Sequence, residues 1–140
     1  MKNGYRIPIQ VRFRDLDVMG HVNNAVFFTY FETGRVAFYR EHVSKALDRE
    51  SSSFILARAS CDYIRPIPPG VELILHMGPK NPGKKSFQHV YLLTDAADES
   101  VIYARGESVQ VCYDYARQTS IEIPPELREA LLKFQCEDQA

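Results

Sequence analysis

The run Asn24-Ala25-Val26-Phe27-Phe28-Thr29-Tyr30-Phe31-Glu32-Thr33-Gly34-Arg35-Val36-Ala37-Phe38-Tyr39-Arg40-Glu41-His42 decides the fold. Placed at 100° per residue, Val26, Phe27, Phe28, Tyr30, Phe31, Gly34, Ala37, Phe38 and Tyr39 cover well over half of a helix circumference. Thr29, Glu32, Thr33 and Arg40 remain as a polar strip. An apolar arc that wide exceeds the stripe of an ordinary surface helix, so this helix is expected to be largely wrapped. Gly34 lies near the centre of the arc, where a missing side chain permits close backbone approach. Asn23 or Asn24 offers the short side-chain oxygen that caps the exposed first amides.

The wrapping must come from strands on either side. Residues 6–13 alternate, with Ile7, Ile9, Val11 and Phe13 opposite Arg6, Pro8, Gln10 and Arg12, the pattern of a half-buried strand. Beyond the polar stretch Asp48-Arg49-Glu50-Ser51-Ser52-Ser53, four strand-like runs follow: Phe54 to Arg65, Val71 to Met77, Lys84 to Thr94 and Val101 to Tyr115. Their separators, Pro66-Ile67-Pro68-Pro69-Gly70, Gly78 to Gly83 and Asp95 to Ser100, suit antiparallel neighbours and are too short for helical crossovers. Pro124-Pro125 then opens a short amphipathic helix through Leu127, Leu131, Leu132 and Phe134. The expectation is one α+β domain over residues 1–140: an antiparallel sheet curled around one long central helix, with a short C-terminal helix. The sheet's second face and the last long strand, carrying Val109, Val111 and Tyr113, need cover or an edge partner, which favours a homo-oligomer.

Whole-chain properties exclude several function classes. With 140 residues and a formal net charge of -1, the chain has no extended basic stripe for a nucleic-acid backbone. Cys61, Cys112 and Cys136 are odd in number and outside any zinc or CxxC spacing, so they read as reduced thiols. No signal-peptide core or membrane-length apolar run is visible, and a cytoplasmic location without metal or membrane is expected.

Between the first strand and the long helix stands Arg14-Asp15-Leu16-Asp17-Val18-Met19-Gly20-His21-Val22-Asn23-Asn24. First-turn amides have no intrahelical acceptor and sit at the positive end of the helix dipole, so N–H groups near Asn23 and Asn24 suit a developing oxyanion. Gly20 lets the backbone come close to a ligand. A carboxylate such as Asp17 either caps its own loop, as most loop acids do, or serves as nucleophile or base. His21 is either a hydrogen-bonded structural residue or a proton donor and acceptor. Asp15 reads as a turn acid or a partner of Arg12 or Arg14, and Glu32 as a solvated acid within i+3 reach of Arg35.

Asp15 to Asn24 resembles the D-x-D-x-x-G-H-x-N-N signature of the 4-hydroxybenzoyl-CoA thioesterase-like branch of the hotdog-fold thioesterases. The resemblance continues through Glu32 and Arg35, through Tyr63-Ile64-Arg65-Pro66, and through Lys84-Lys85-Ser86-Phe87, covering nearly the whole chain. It implies a dimer or dimer of dimers that hydrolyses acyl-CoA, or acyl carrier protein thioesters, without bound cofactor. It also implies an active site between subunits, with Asp17 as the catalytic carboxylate and amides at the helix start as oxyanion donors. Related acyl carrier protein thioesterases carry D-x-N-x-H in this loop; Met19 stands here in place of that Asn.

Substrate contacts are expected from Gly20, Asn23 and Asn24 near the thioester and from Arg65, Lys84 and Lys85 on coenzyme A phosphates, against the ordinary reading of turn cations as solvated. The aromatics of the helix form core, a few of them lining an acyl pocket. Competing readings are a hotdog dehydratase or hydratase, which would need a His-and-Gly strand arrangement this chain lacks, and a non-catalytic acyl-CoA-binding module.

Overall fold

A computed structural model describes residues 3–43 and 53–136, so most of the polar Asp48–Ser53 stretch lies outside the described residues. Strand β1 spans Tyr5–Gln10, helix α1 Val26–His42, β2 Ser53–Tyr63, β3 Glu72–Lys80, β4 Ser86–Asp95, β5 Ile102–Asp114, β6 Thr119–Ser120 and helix α2 Pro125–Lys133. The strands form one sheet in the order β1-β3-β4-β5-β2, with the two-residue β6 beside the end of β5, and every pairing is antiparallel.

The expected enveloped helix is present. Phe27, Tyr30, Phe31, Gly34 and Phe38 of α1 are buried, while Thr29, Glu32, Thr33 and Arg40 face water. The sheet face beneath offers Leu73, Leu75 and Met77 of β3, Phe87, Tyr91 and Leu93 of β4, and Ala104 and Cys112 of β5, all buried. Full burial of side chains of this size contributes about 1.5–3 kcal/mol each, which is why this seam dominates the fold. Helix and sheet approach so closely that a Cβ on Gly34 would strike the side chains of Leu75 and Met77. α2 buries Leu127 and Leu131, and the chain just beyond it sets Phe134 against Phe38 with ring centroids 5.3 Å apart, closing the end of the sheet near the C-terminus of α1.

Several boundaries differ from the sequence pattern. β1 stops at Gln10, paired with Glu72, because its neighbour β3 begins there. Phe13 therefore leaves the sheet, enters a 3-10 turn over Phe13–Asp15 and is 92% exposed. β3 runs on through Gly78 and Pro79, which had read as a separator. Pairing with β1 ends at Met77, so Pro79 lies where that side of β3 has no strand to bond. Gly78 leaves room for Cys136, whose backbone N–H donates to the Pro79 carbonyl at 3.0 Å.

Among the described residues the free edges are β1 and β2, so the last long strand β5 is an interior strand, contrary to the expectation that it needs an edge partner. β2 carries exposed Ile55 and Leu56 beside a break in register between Leu56 and Arg58. The outer sheet face, with Ile74, Val90, Leu92, Val109 and Val111 half-buried, does lack full cover among the described residues.

Under α1 the core contains a polar chain. Arg35 Nη1 donates to the Tyr91 hydroxyl at 3.0 Å, that hydroxyl lies 2.5 Å from Ser108 Oγ, and Gln110 Nε2 donates to Ser108 Oγ at 2.6 Å. Arg35 thus turns inward rather than pairing with Glu32. The Tyr91 ring stacks on Phe31 at 4.4 Å and places a buried hydroxyl beneath the helix that requires partners, whereas Glu32 is already hydrated. Tyr39 meets His89 Nε2 at 2.7 Å, and burial holds the fully enclosed His89 down to about 3.

Candidate active site

The loop between β1 and α1 is fixed from three sides. Asp15 Oδ2 accepts from the Arg12 N–H at 2.9 Å and from the Tyr30 hydroxyl at 2.8 Å, tying the turn to the helix. Burial, then the bond to Asp15, raises Tyr30 well above an ordinary phenol, so it stays a donor. Asp15 is the structural acid its spacing suggested, bound to the backbone of Arg12. The third tie is made by the Val22 N–H, which donates to the Ile67 carbonyl at 3.0 Å.

Asp17 stands at the base of a tight turn. Its N–H donates to the His21 carbonyl at 2.8 Å, and the Gly20 N–H returns to the Asp17 carbonyl at 3.0 Å. Gly20 adopts φ +79°, the left-handed conformation such a reversal needs, which side chains resist. Asp17 Oδ1 accepts from the Met19 N–H at 2.9 Å and more distantly from the His21 N–H at 3.5 Å. The carboxylate is exposed, so it caps its own loop with one oxygen and keeps the other available. The His21 ring is also exposed and has no hydrogen-bond partner among the described residues.

At the helix start the two asparagines separate in role. The Asn23 N–H is consumed by the Asp15 carbonyl at 2.9 Å, and Asn23 Oδ1 accepts from the Ala25 N–H at 2.9 Å. Asn23, not Asn24, therefore gives the capping bond, although Ala25 is the formal cap residue. Asn24 is exposed, and its N–H has no acceptor among the described residues. Its carbonyl is held by the Tyr63 hydroxyl at 2.8 Å, and the Tyr63 ring meets Phe27 edge-on at 4.9 Å. Sequence reasoning missed Tyr63; only its place beside Arg65 in the family-like segment marked it.

The expected substrate cations do not assemble together. Arg65 follows the end of β2, its N–H 3.2 Å from the Tyr103 carbonyl, at the same sheet end as the Asp17 loop. Lys84 and Lys85 precede β4 at the other end, and the 10 residues of β4 span roughly 30 Å at about 3.3 Å each. There Lys84 pairs with Glu122 at 3.3 Å and Lys85 donates to Ser120 Oγ at 3.3 Å. No cluster of three or more His, Cys, Asp or Glu that would hold a metal occurs among the described residues, and none of their helices is long and apolar enough to cross a membrane.

Solved structures share this architecture. The PA5185 protein of Pseudomonas aeruginosa strain PAO1 is 27% identical and superposes with a TM-score of 0.87, over 96% of this chain and 94% of that one. A thioesterase of Thermus thermophilus, complexed with coenzyme A and Zn, is 32% identical with a TM-score of 0.77, over 90% and 95%. The protein YsmA of Bacillus subtilis strain 168 is 27% identical over 112 residues, 80% of this chain and 76% of its own length. The sequence profile of the Thioesterase-like superfamily matches residues 11–131, from the end of β1 into α2. With that match over most of its length and a hotdog architecture around it, the chain belongs to the thioesterase-like superfamily, in its 4-hydroxybenzoyl-CoA thioesterase-like branch.

Proposed function

We propose that the protein is an acyl-CoA thioesterase in which Asp17 is the reacting carboxylate and the Asn24 N–H is the oxyanion donor. The observation that carries this reading is the unpaired Asn24 amide at the start of α1, one short loop from an exposed carboxylate with a free oxygen. A thioester carbonyl placed against that amide gains a donor aimed at its developing negative charge. Asp17 then either attacks the carbonyl carbon, expelling the thiolate and leaving a mixed anhydride for water to cleave, or removes a proton from an attacking water. His21, in the same turn, is the proposed proton donor to the departing thiolate. The coenzyme A bound by the Thermus thermophilus relative supports coenzyme A as the thiol half.

A second copy belongs in this reading. β2 presents an unpaired edge with Ile55 and Leu56 exposed, and Val18 and Met19 beside Asp17 are also exposed. Two-fold pairing through β2 would cover that edge and set the second sheet antiparallel to the first.

Release of free thiol from short, medium, long and aromatic acyl-CoAs, and from the matching acyl carrier protein thioesters, tests the proposal. Turnover of at least one class is expected. Background rates throughout with folded protein, or enoyl-CoA hydration instead, would overturn it.

A further inference from the structure

A groove of about 300 Å³ opens between β1, the turn after it and the exposed strip of α1, lined among others by Ile9, Arg12, Arg14, Asp15, Tyr30 and Thr33. Its floor is apolar where Ile9 and Tyr30 are buried, and its rim carries two exposed guanidinium groups. Neither arginine forms an ion pair among the described residues. The lining acid, Asp15, has one oxygen already committed to the Arg12 N–H and the Tyr30 hydroxyl. Two cations against one carboxylate leave the groove positive, and planar guanidinium groups suit phosphate oxygens.

The groove's lining includes Asp15, two residues from Asp17, as well as Pro8 of β1 and Thr33 of α1. It lies at the sheet end that Lys84 and Lys85 of the same chain do not approach. We infer that this groove binds the phosphorylated adenosine end of the coenzyme A thioester, with Arg12 and Arg14 on its phosphates and the apolar floor under the base. The assignment rests on the acyl-CoA reading above and places nucleotide recognition and Asp17 on one chain.

Titration of the full-length protein with adenosine 3′,5′-bisphosphate, followed by calorimetry, tests the site apart from catalysis. Saturable binding is expected, weakened about tenfold or more in R12Q/R14Q and unchanged in K84Q/K85Q. In the assay, R12Q/R14Q raises KM for acyl-CoA by a similar factor and leaves KM for the corresponding acyl-pantetheine, which lacks the nucleotide, where it was. Both arginines are exposed, so a matching melting temperature checks that the fold survives. Undiminished binding in R12Q/R14Q, loss confined to K84Q/K85Q, or no binding by an active enzyme overturns the assignment. Binding lost in R12Q/R14Q in a protein that cleaves no thioester supports the groove and removes the thioesterase reading instead.

Discussion

The Tyr63 hydroxyl donates to the carbonyl of Asn24 at 2.8 Å, so the last residue of β2 holds one side of the residue whose own N–H is left open. In the proposed mechanism Tyr63 is therefore a positioning residue. Burial raises Tyr63 above its usual value, which keeps the phenol protonated and donating. Tyr63→Phe is expected to lower kcat about tenfold with KM nearly unchanged, since loss of one hydrogen bond of roughly 0.5–1.5 kcal/mol misaligns the oxyanion donor. A rise in KM with kcat intact would place Tyr63 in substrate binding instead.

Asp17 caps its own loop and carries the proposed chemistry, and two variants separate these duties. Asn retains an oxygen that can accept from the Met19 N–H, whereas Ala does not. Asp17→Asn should therefore keep its melting temperature, and Asp17→Ala should lose about 1 kcal/mol by denaturant unfolding. Both should lose at least about a hundredfold in kcat. Near-normal turnover in Asp17→Asn removes the carboxylate from the mechanism.

Gly106 of β5 sits under the edge of Phe31, where an added Cβ would come within 2.5 Å of the ring and 3.1 Å of the Ser60 carbonyl. Phe31 cannot yield, being stacked on Tyr91 at 4.4 Å. Gly106→Ala should destabilise by roughly 1–3 kcal/mol through overpacking. An unchanged unfolding midpoint would show that helix and sheet are less tightly seated.

His89 gives the fold an acid sensitivity. Desolvation lowers it from 6.5 to about 3, so the unfolded chain binds its proton first as pH falls. Stability from this group is complete above about pH 6.5 and is lost progressively down to about pH 3. The expected loss is about 2 kcal/mol by pH 5, to order of magnitude. Urea midpoints at pH 7 and pH 5 for the native protein and His89→Gln check this: the variant starts lower but declines less over the interval.

The helix and its burial were legible because nine apolar positions at helical spacing admit only an enveloped helix, and the strands because alternation survives in a sheet with one well-covered face. Their ends were not, since where β1 stops depends on where β3 starts, a relation between residues about 60 positions apart in the sequence. Gly34 was readable from its place on the arc. The inward turn of Arg35 was not, because its partner is a hydroxyl on β4, and i+3 spacing to Glu32 offered a local alternative. In the loop, residue types alone left Asp17 a capping acid, and the family resemblance singled out Asp17 and the helix start as candidates. Only hydrogen-bond geometry showed which amide is spent on Asp15 and which is open, and only topology put Lys84 and Lys85 a sheet's length away.

The unpaired edge of β2 also bears on how the protein behaves when dilute. The proposed pairing over Ile55 and Leu56 would be governed by mass action, so free chains would accumulate once total protein fell below the dissociation constant. Specific activity would then depend on enzyme concentration, declining on dilution and recovering when substrate holds the paired form together.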